Sequence, residues 1–147
     1  MAIVQLFDRR MIERYLREKE IDYITDSNGD FITRIGHMVE TGCELLVAFL
    51  ISGEIQKLYT IHIESDKEIP RPDWGRVVMI CNAWNQESVL PKAFLNIRDG
   101  GTEASIVLEN QIFLASGIHP ELFREFTDSS LTGAVLFWKW AHQEKGL

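Results

Sequence analysis

The sequence predicts an α+β fold in which helices pack against an antiparallel β-sheet. The main observation is a change of hydrophobic period within Asp73–Gly100. Apolar residues recur every three or four positions in its first half, as in a helix, and every two positions in its second half, as in a strand. The other observation is that short turn sequences, such as Asn28-Gly29 and Asp99-Gly100, separate neighbouring candidate strands. Strands joined by short turns pair antiparallel, so the predicted order is helix, three or four strands, helix, two strands, helix.

The first predicted element is an amphipathic helix that ends near Glu20. Its apolar face consists of Phe7, Met11, Ile12, Tyr15 and Leu16. Two short strands follow, Ile21–Thr25 and Phe31–Ile35. The Asn28-Gly29 pair between them is typical of a tight hairpin turn, because both residues tolerate a positive φ.

The next two predicted strands differ in their hydrophobic pattern. Glu44–Ile51 is the most apolar segment, which predicts a central strand covered on both faces. Leu58–Ser65 alternates between apolar and polar residues, which predicts a strand with one solvent-exposed face carrying His62. The polar residues Ser65–Pro72 are expected to form a loop before the central helix.

The central helix is expected to begin at Pro72 or Asp73 and to bury one face. That face consists of Trp74, Val77, Val78, Cys81 and Trp84. Polar residues Asn85–Ser88 are expected to break the helix. A strand is predicted to begin at Lys92, with Ala93, Leu95 and Ile97 on the same face.

The last two predicted elements are a strand and a long helix. Glu103–Leu114 contains the strand, whose far boundary the alternation does not define. A helix begins near His119, where Pro120 suits the first turn, and continues to about Lys145. Two alternatives stay open for it: one continuous helix, or a helix kinked or divided at Asp128–Ser130 or Gly133.

Length and composition exclude several classes of protein. A chain of 147 residues with 46% hydrophobic content predicts one domain over residues 1–147. A net charge of −7 argues against a nucleic-acid-binding protein. No apolar run approaches the ~20 residues of a membrane span, and no signal peptide is evident, so we expect a cytoplasmic protein.

No pattern of catalytic or metal-binding residues is present. Motifs for nucleophilic hydrolysis, nucleotide binding and zinc proteolysis are missing, and Cys43, Cys81, His37 and His62 do not have metal-ligand spacing. The two cysteines are interpreted as buried free thiols. We therefore expect no enzyme activity, no cofactor and no metal, although distant residues can still assemble a site.

The element order and the stretch CNAWNQESVLPKAFLNIRDG resemble the YbjN domain family, a bacterial family of sensory transduction regulators. The fold of this family is similar to that of class I type III secretion chaperones. In the resemblance, a helix ending in an asparagine–aromatic–asparagine group leads to a strand and an acid–glycine turn. The matching positions form a structural motif: Asn82, Trp84, Asn85, Asp99 and Gly100.

The motif also has a physical interpretation. Asn82 and Asn85 are three positions apart near the helix end, where their amides can satisfy free carbonyls and neighbouring loop amides. Trp84 can anchor the helix end in the core. The interpretation is architectural, and the resemblance implies no catalytic residues.

The final helix carries an aromatic cluster whose members cannot all face the core. At about 100° per residue, Trp138 and Trp140 point about 200° apart. Trp138 fits the apolar stripe, so Trp140, with Phe137, is the candidate protein-binding surface. The alternative is that residues 3–6 cover Trp140.

Two functional hypotheses follow. The first is a non-catalytic protein-binding module, chaperone-like or a regulatory adaptor, that acts on another polypeptide as a homodimer. The resemblance supports it, because secretion chaperones of this fold dimerise and hold extended partner segments. The second is a small enzyme or ligand sensor with a pocket that sequence does not reveal.

Overall fold

The computed structural model describes residues 3–36, 38–98 and 100–147, and it contains four α-helices, one short 3-10 helix (Arg71–Asp73) and six strands within these ranges. The helices are α1 (Arg9–Glu18), α2 (Met38–Thr41), α3 (Trp74–Glu87) and α4 (Pro120–Gln143). The strands are β1 (Ile24–Thr25), β2 (Phe31–Ile35), β3 (Leu45–Ser52), β4 (Leu58–Glu68), β5 (Lys92–Ile97) and β6 (Ala104–Phe113).

The strands form one antiparallel sheet in the order β1-β2-β3-β4-β6-β5. This arrangement confirms the predicted α+β class. The β1–β2 hairpin turns at Asn28-Gly29, as predicted, and the carboxylate of Asp26 accepts hydrogen bonds from the N–H groups of Asn28 and Asp30, both at 2.9 Å. The two outer strands of the sheet are therefore β1, which is very short, and β5.

The helices contact one another on one face of the sheet. Tyr15 of α1 meets Phe123 of α4 at a ring-centroid distance of 6.1 Å, and Trp84 of α3 meets Phe137 of α4 at 5.4 Å. Tyr59 of β4 stacks on Phe123 at 4.9 Å, which joins this helical layer to the sheet. The predicted apolar face of α1 is buried in the resulting core.

The structure corrects the predicted environment of β3. The segment was expected to be covered on both faces, but burial alternates along it: Leu45, Val47 and Phe49 are buried, whereas Leu46 is 46% exposed. The reason is that the described helices lie on one side of the sheet. A continuous apolar run in the sequence does not report on which face is covered.

Several boundaries also differ from prediction. Strand β4 continues through Glu68, into the segment predicted as a loop, after an irregular register between Glu64 and Glu68. Helix α2 was not predicted. Helix α3 continues to Glu87, beyond the expected break, because Gln86 and Glu87 of its last turn are exposed to solvent and Asn85 hydrogen-bonds to the backbone of β5. Within α3, Val78 is 50% exposed, and Ile80 occupies the buried face instead.

Helix α4 is continuous over 24 residues, which settles the alternative left open by its composition. Gly133 does not kink it. A Cβ atom at this glycine would lie 2.7 Å from Pro91 Cδ and 2.9 Å from the Leu90 carbonyl oxygen. Gly133 therefore lets the loop between α3 and β5 pack closely against α4.

Both cysteines are buried and free, as predicted. Burial raises the pKa of the Cys43 thiol to about 12, with a further contribution from Asp66, and raises that of Cys81 to about 11. Within the described part of the chain, no helix is long and apolar enough to cross a membrane.

Candidate functional site

The candidate functional site is the β5 edge of the sheet. Among the described strands, β5 pairs with β6 alone, so half of its backbone groups point away from the sheet. The Arg98 N–H donates to the Glu103 carbonyl at 2.8 Å, which places the even-numbered residues toward β6. By the alternation of an antiparallel pair, Ala93, Leu95 and Ile97 direct their N–H and C=O groups outward.

Asn85 occupies the first of these outward positions. Its side-chain oxygen accepts from the Ala93 N–H and its side-chain nitrogen donates to the Ala93 carbonyl, both at 2.9 Å. These are the two hydrogen bonds that a residue of a neighbouring strand would make. One amide side chain thus closes one position of an otherwise open strand edge.

Leu95 and Ile97 have no such partner among the described residues. Leu95 is half-buried, and Ile97 is 48% exposed. Unpaired N–H and C=O groups in alternation are the template to which an additional extended strand binds. The free part of the β5 edge is therefore Leu95–Ile97.

Trp84 holds the Asn85 side chain in position. Its indole N–H donates to the Pro91 carbonyl at 2.8 Å, and its ring packs edge-on against Phe137. Pro91 in turn lies against Gly133 of α4. The C-terminal turn of α3 is consequently fixed to the start of β5 and to α4, so the Asn85 amide meets the strand at a defined place.

Charged side chains cover the open face of β4, β5 and β6. His62 lies between two carboxylates, at 3.1 Å from Glu109 and 3.6 Å from Glu64. Lys92 reaches Glu109 at 3.2 Å, and Arg98 reaches Glu64 at 2.8 Å. Lys92 of β5 thus pairs with Glu109 of the neighbouring β6, and Arg98, just after β5, reaches past β6 to Glu64 of β4, so these contacts cross-link three strands.

Glu64 is the most constrained of these acids. Burial by itself would raise its pKa, but hydrogen bonds from the Ser105 hydroxyl and the Arg98 guanidinium hold that pKa below its usual value. A carboxylate with this pKa stays ionised near neutral pH and serves as an acceptor rather than as a proton donor. Among the residues that the structure describes, no group of three His, Cys, Asp or Glu side chains has metal-site geometry.

The aromatic residues predicted to bind protein lie elsewhere. Phe137 is 0% exposed and belongs to the core. Trp140 is half-buried, with its ring centroid 6.1 Å from that of Trp84 and 5.9 Å from that of Phe137, and Lys145 lies over the ring. Trp140 therefore packs between α3 and α4 in the monomer, and its role in binding a partner stays a prediction.

The remaining motif residues have separate places. Asn82 is exposed and makes no hydrogen bond to another described side chain or loop. Gly100 lies in the turn between β5 and β6 with a φ of +91°, which a glycine adopts readily. Asp99 and His37 lie outside the described residues.

Sequence reasoning missed the pairing of Asn85 with Ala93. It expected the asparagine amides to satisfy nearby backbone groups, which Asn85 does, but nothing indicated that the target was the outward edge of a strand. The one available signal was an asparagine in the last turn of a helix, eight residues before the strand position that it reaches.

The fold and the site define a protein class: an α+β protein with helices on one face of a six-stranded antiparallel sheet and a partly open strand edge beside α3. The YbjN family model, described as "Putative bacterial sensory transduction regulator", matches residues 8–142, and the chain belongs to this family.

Comparison with solved structures agrees with this assignment. One similar structure is described as "Crystal structure of YbjN, a putative transcription regulator from E. coli"; it has 14% sequence identity and a TM-score of 0.73, covering 97% of this chain and 96% of the other. At this identity the similarity shows the shared fold. No curated protein sequence matches the chain.

Proposed function

We propose that this protein is a non-catalytic regulatory module that binds an extended segment of another polypeptide by adding it as a strand beside β5. The observation that carries the proposal is the outward-facing backbone of Leu95 and Ile97. The family description as a sensory transduction regulator supports a regulatory role.

A polypeptide is the ligand that suits this edge. The available groups are alternating backbone donors and acceptors, and another extended backbone presents the same groups in complementary order. Side chains of the added strand would alternate between the helix-covered face, next to Leu95, and the open face, next to Phe94. Specificity would come from these side chains, because the backbone hydrogen bonds do not depend on sequence.

The Asn85 amide would set the register. It already satisfies Ala93, so within β5 the positions left for an added strand are Leu95 and Ile97. A short paired region of this kind suits a reversible regulatory contact, because few hydrogen bonds form and each contributes only about 1 kcal/mol net.

The predicted homodimer is compatible with the same edge. Two copies of β5 related by a twofold axis through Asn96 would pair Leu95 of one copy with Ile97 of the other. A second copy would then compete with the partner segment. Light scattering on the purified protein measures this directly, and the homodimer and a cytoplasmic location stay predictions.

Replacement of Ile97 by proline tests the proposal. The Ile97 N–H faces outward, so proline removes a donor needed for strand addition without removing a β5–β6 hydrogen bond. Peptides selected from a displayed random library on the wild-type protein provide the probe. We expect Ile97→Pro to weaken their binding at least about tenfold, and amide exchange at Leu95 and Ile97 to slow when they bind.

Two controls define the outcome. Val89→Lys changes a residue that is 97% exposed in the loop before β5, and it should leave peptide binding unchanged. Asn96→Pro removes a donor that faces β6, and it should destabilise the fold instead. Selected peptides that bind without slowing exchange at Leu95 and Ile97, and that bind Ile97→Pro equally well, would refute strand addition at this edge.

A further inference from the structure

A cavity lies near the β1–β2 end of the sheet, away from β5. A cavity of about 330 Å³ opens between the start of α1, the β1–β2 turn and the β3–β4 turn. Buried apolar side chains form its floor: Phe7, Ile12, Phe31 and Phe49. Its volume is at the lower end of the range of about 300–1,000 Å³ for small-molecule sites, so it suits a ligand of few atoms.

The rim of this cavity carries two bases and two acids. The bases are Arg9 and Lys57, and the acids are Asp8 and Asp30. Neither base forms a salt bridge with another described residue, although eight bridges between a Lys or Arg and a carboxylate occur elsewhere in the described part of the chain. The rim is therefore neutral overall but presents both signs of charge.

The two bases are held at the rim, and each keeps N–H donors that are available to a ligand. The Arg9 guanidinium carbon lies 4.9 Å from the centre of the Phe31 ring, which fixes the group by its face and leaves its N–H edges available. The Lys57 ammonium donates one hydrogen bond to the Phe7 carbonyl and keeps two further N–H donors. Both groups can thus bind a carboxylate.

The acids are not equivalent. Asp8 already caps α1, with one carboxylate oxygen accepting from the Arg10 N–H at 2.9 Å. Asp30 accepts a backbone hydrogen bond from Ile51, and burial and the neighbouring Asp26 raise its pKa, against the opposing effects of Arg9 and of that hydrogen bond. A cation placed next to Asp30 would stabilise its ionised form.

We propose that this cavity binds a free α-amino acid with an apolar side chain. The carboxylate of the amino acid contacts Arg9 and Lys57, its ammonium group contacts Asp30, and its side chain packs against Ile51 and Ile55, the apolar lining residues that are not fully buried. A zwitterion of this size matches the neutral, two-signed rim and the apolar floor together. This site is separate from the proposed strand-binding edge and makes the protein a sensor of a metabolite as well as a binder of polypeptide.

Other ligand classes fit less well. A phosphate or nucleotide would bring extra negative charge next to Asp8 and Asp30. A purely apolar molecule would cover four charged side chains without pairing them, which is costly. A zwitterion pairs with charges of both signs.

Titration followed by two-dimensional NMR tests the proposal with defined probes. We expect L-leucine or L-phenylalanine to shift the amide signals of residues 7–9, 28–31 and 57, with a Kd below about 1 mM. Three analogues each remove one feature: leucinamide lacks the carboxylate, 4-methylpentanoate lacks the ammonium group, and glycine lacks the side chain. Each should bind at least about tenfold more weakly than leucine.

Matched variants provide the second arm. Arg9→Gln and Asp30→Asn should each weaken leucine binding at least about tenfold, whereas Arg10→Gln, at an adjacent position outside the cavity, should change it less than about twofold. The NMR spectrum of each variant reports whether it is folded, and the analogue series on the unaltered protein does not depend on any variant.

Two outcomes would overturn the assignment. The first is that neither amino acid shifts these amides at a concentration of about 10 mM, well above the expected Kd. The second is that 4-methylpentanoate binds as tightly as leucine, which would exclude a role for the ammonium group. Ile97→Pro should leave amino-acid binding unchanged. The amino-acid site and the strand-binding edge can therefore be refuted independently of each other.

Discussion

The side-chain amide of Asn85 exchanges two hydrogen bonds, each 2.9 Å, with the backbone of Ala93. The relationship joins the last turn of α3 to the outer strand of the sheet. It closes one backbone position of β5 and leaves Leu95 and Ile97 open. A side chain of the helix thereby makes, at a single residue, the hydrogen bonds that a neighbouring strand would make. The length of the free edge depends on that one side chain.

Asn85→Ala tests this relationship. The substitution leaves the Ala93 N–H and C=O without partners, and two partly buried hydrogen bonds together contribute about 1–3 kcal/mol. We expect the free energy of unfolding, measured by urea denaturation, to fall by that amount. Asn82→Ala, at an exposed position of the same helix, should change it by less than about 0.5 kcal/mol. Equal effects of the two substitutions would contradict a specific role for Asn85.

Gly133→Ala tests the close approach of α4 to the α3–β5 loop. Alanine normally favours a helix, but here its Cβ would lie within 3 Å of Pro91 Cδ and the Leu90 carbonyl oxygen. We expect a net destabilisation of about 1–3 kcal/mol, as for other overpacked sites. The matched control is Gly75→Ala in α3, where a Cβ meets nothing within 4 Å. It should stabilise the protein by up to about 1 kcal/mol. Thermal melting of both variants decides the matter, and a stabilised Gly133→Ala would refute the packing.

Trp140→Ala separates packing from partner binding. Because the ring packs on Trp84 and Phe137 but is only half-buried, we expect a loss of about 2 kcal/mol, below the ~3–5 kcal/mol for a fully buried tryptophan. Leu136→Ala, an exposed position on the same helix, should cost less than about 1 kcal/mol.

The protein-binding role predicted for Trp140 requires more than this loss. It requires that folded Trp140→Ala also show a lower mass by light scattering, or weaker partner capture, than folded Leu136→Ala. Unchanged stability would instead contradict the packing of Trp140 against α3.

The two thiols should be unreactive in the native protein. Their pKa values, about 12 for Cys43 and about 11 for Cys81 against an ordinary 9.0, keep both protonated at pH 8. We expect a thiol-reactive disulfide reagent to modify neither residue at pH 8 until the protein unfolds, and both after denaturation. Rapid modification of the native protein would show that burial does not protect them.

The same pKa shifts predict how stability depends on pH. The folded state holds the thiol protons more tightly than the unfolded state does. The resulting contribution to the free energy of unfolding is fully present below pH 9. It is lost as the pH rises from 9 toward 11–12, where the unfolded thiols ionise first. Chemical denaturation at increasing pH should show this decline, and it should be smaller in a Cys81→Ala variant.

Local sequence patterns were sufficient for most elements of the fold. The stripe from Met11 to Leu16 became the buried face of α1, with Phe7 buried just before the helix, and the alternation of Tyr59, Ile61 and Ile63 became the buried face of β4. Hydrophobic period is a property of residues that are close in sequence, so it can be determined without knowledge of the rest of the chain. The same argument explains the correct position of the Asn28-Gly29 turn.

The pattern failed where burial depends on distant elements. Leu46 in β3 is exposed because no described helix lies on its face, and Val78 in α3 is exposed because the helix packs through Ile80. Neither residue differs in character from its buried neighbours. Which apolar residues are covered is decided by the layers that meet them, and these layers come from remote parts of the sequence.

The sequence by itself determined the α+β class, the order of the main elements, the buried thiols and the resemblance to the YbjN family. Only the tertiary structure decided the two candidate sites. Asn85 meets Ala93 because α3 turns back beside β5, and Arg9 lies over Phe31 because α1 packs against the first hairpin. Such contacts join residues that become neighbours in space only after the chain has folded. The strength of a hydrogen bond or a charge pair depends on the spatial distance between its two groups, which the sequence does not give.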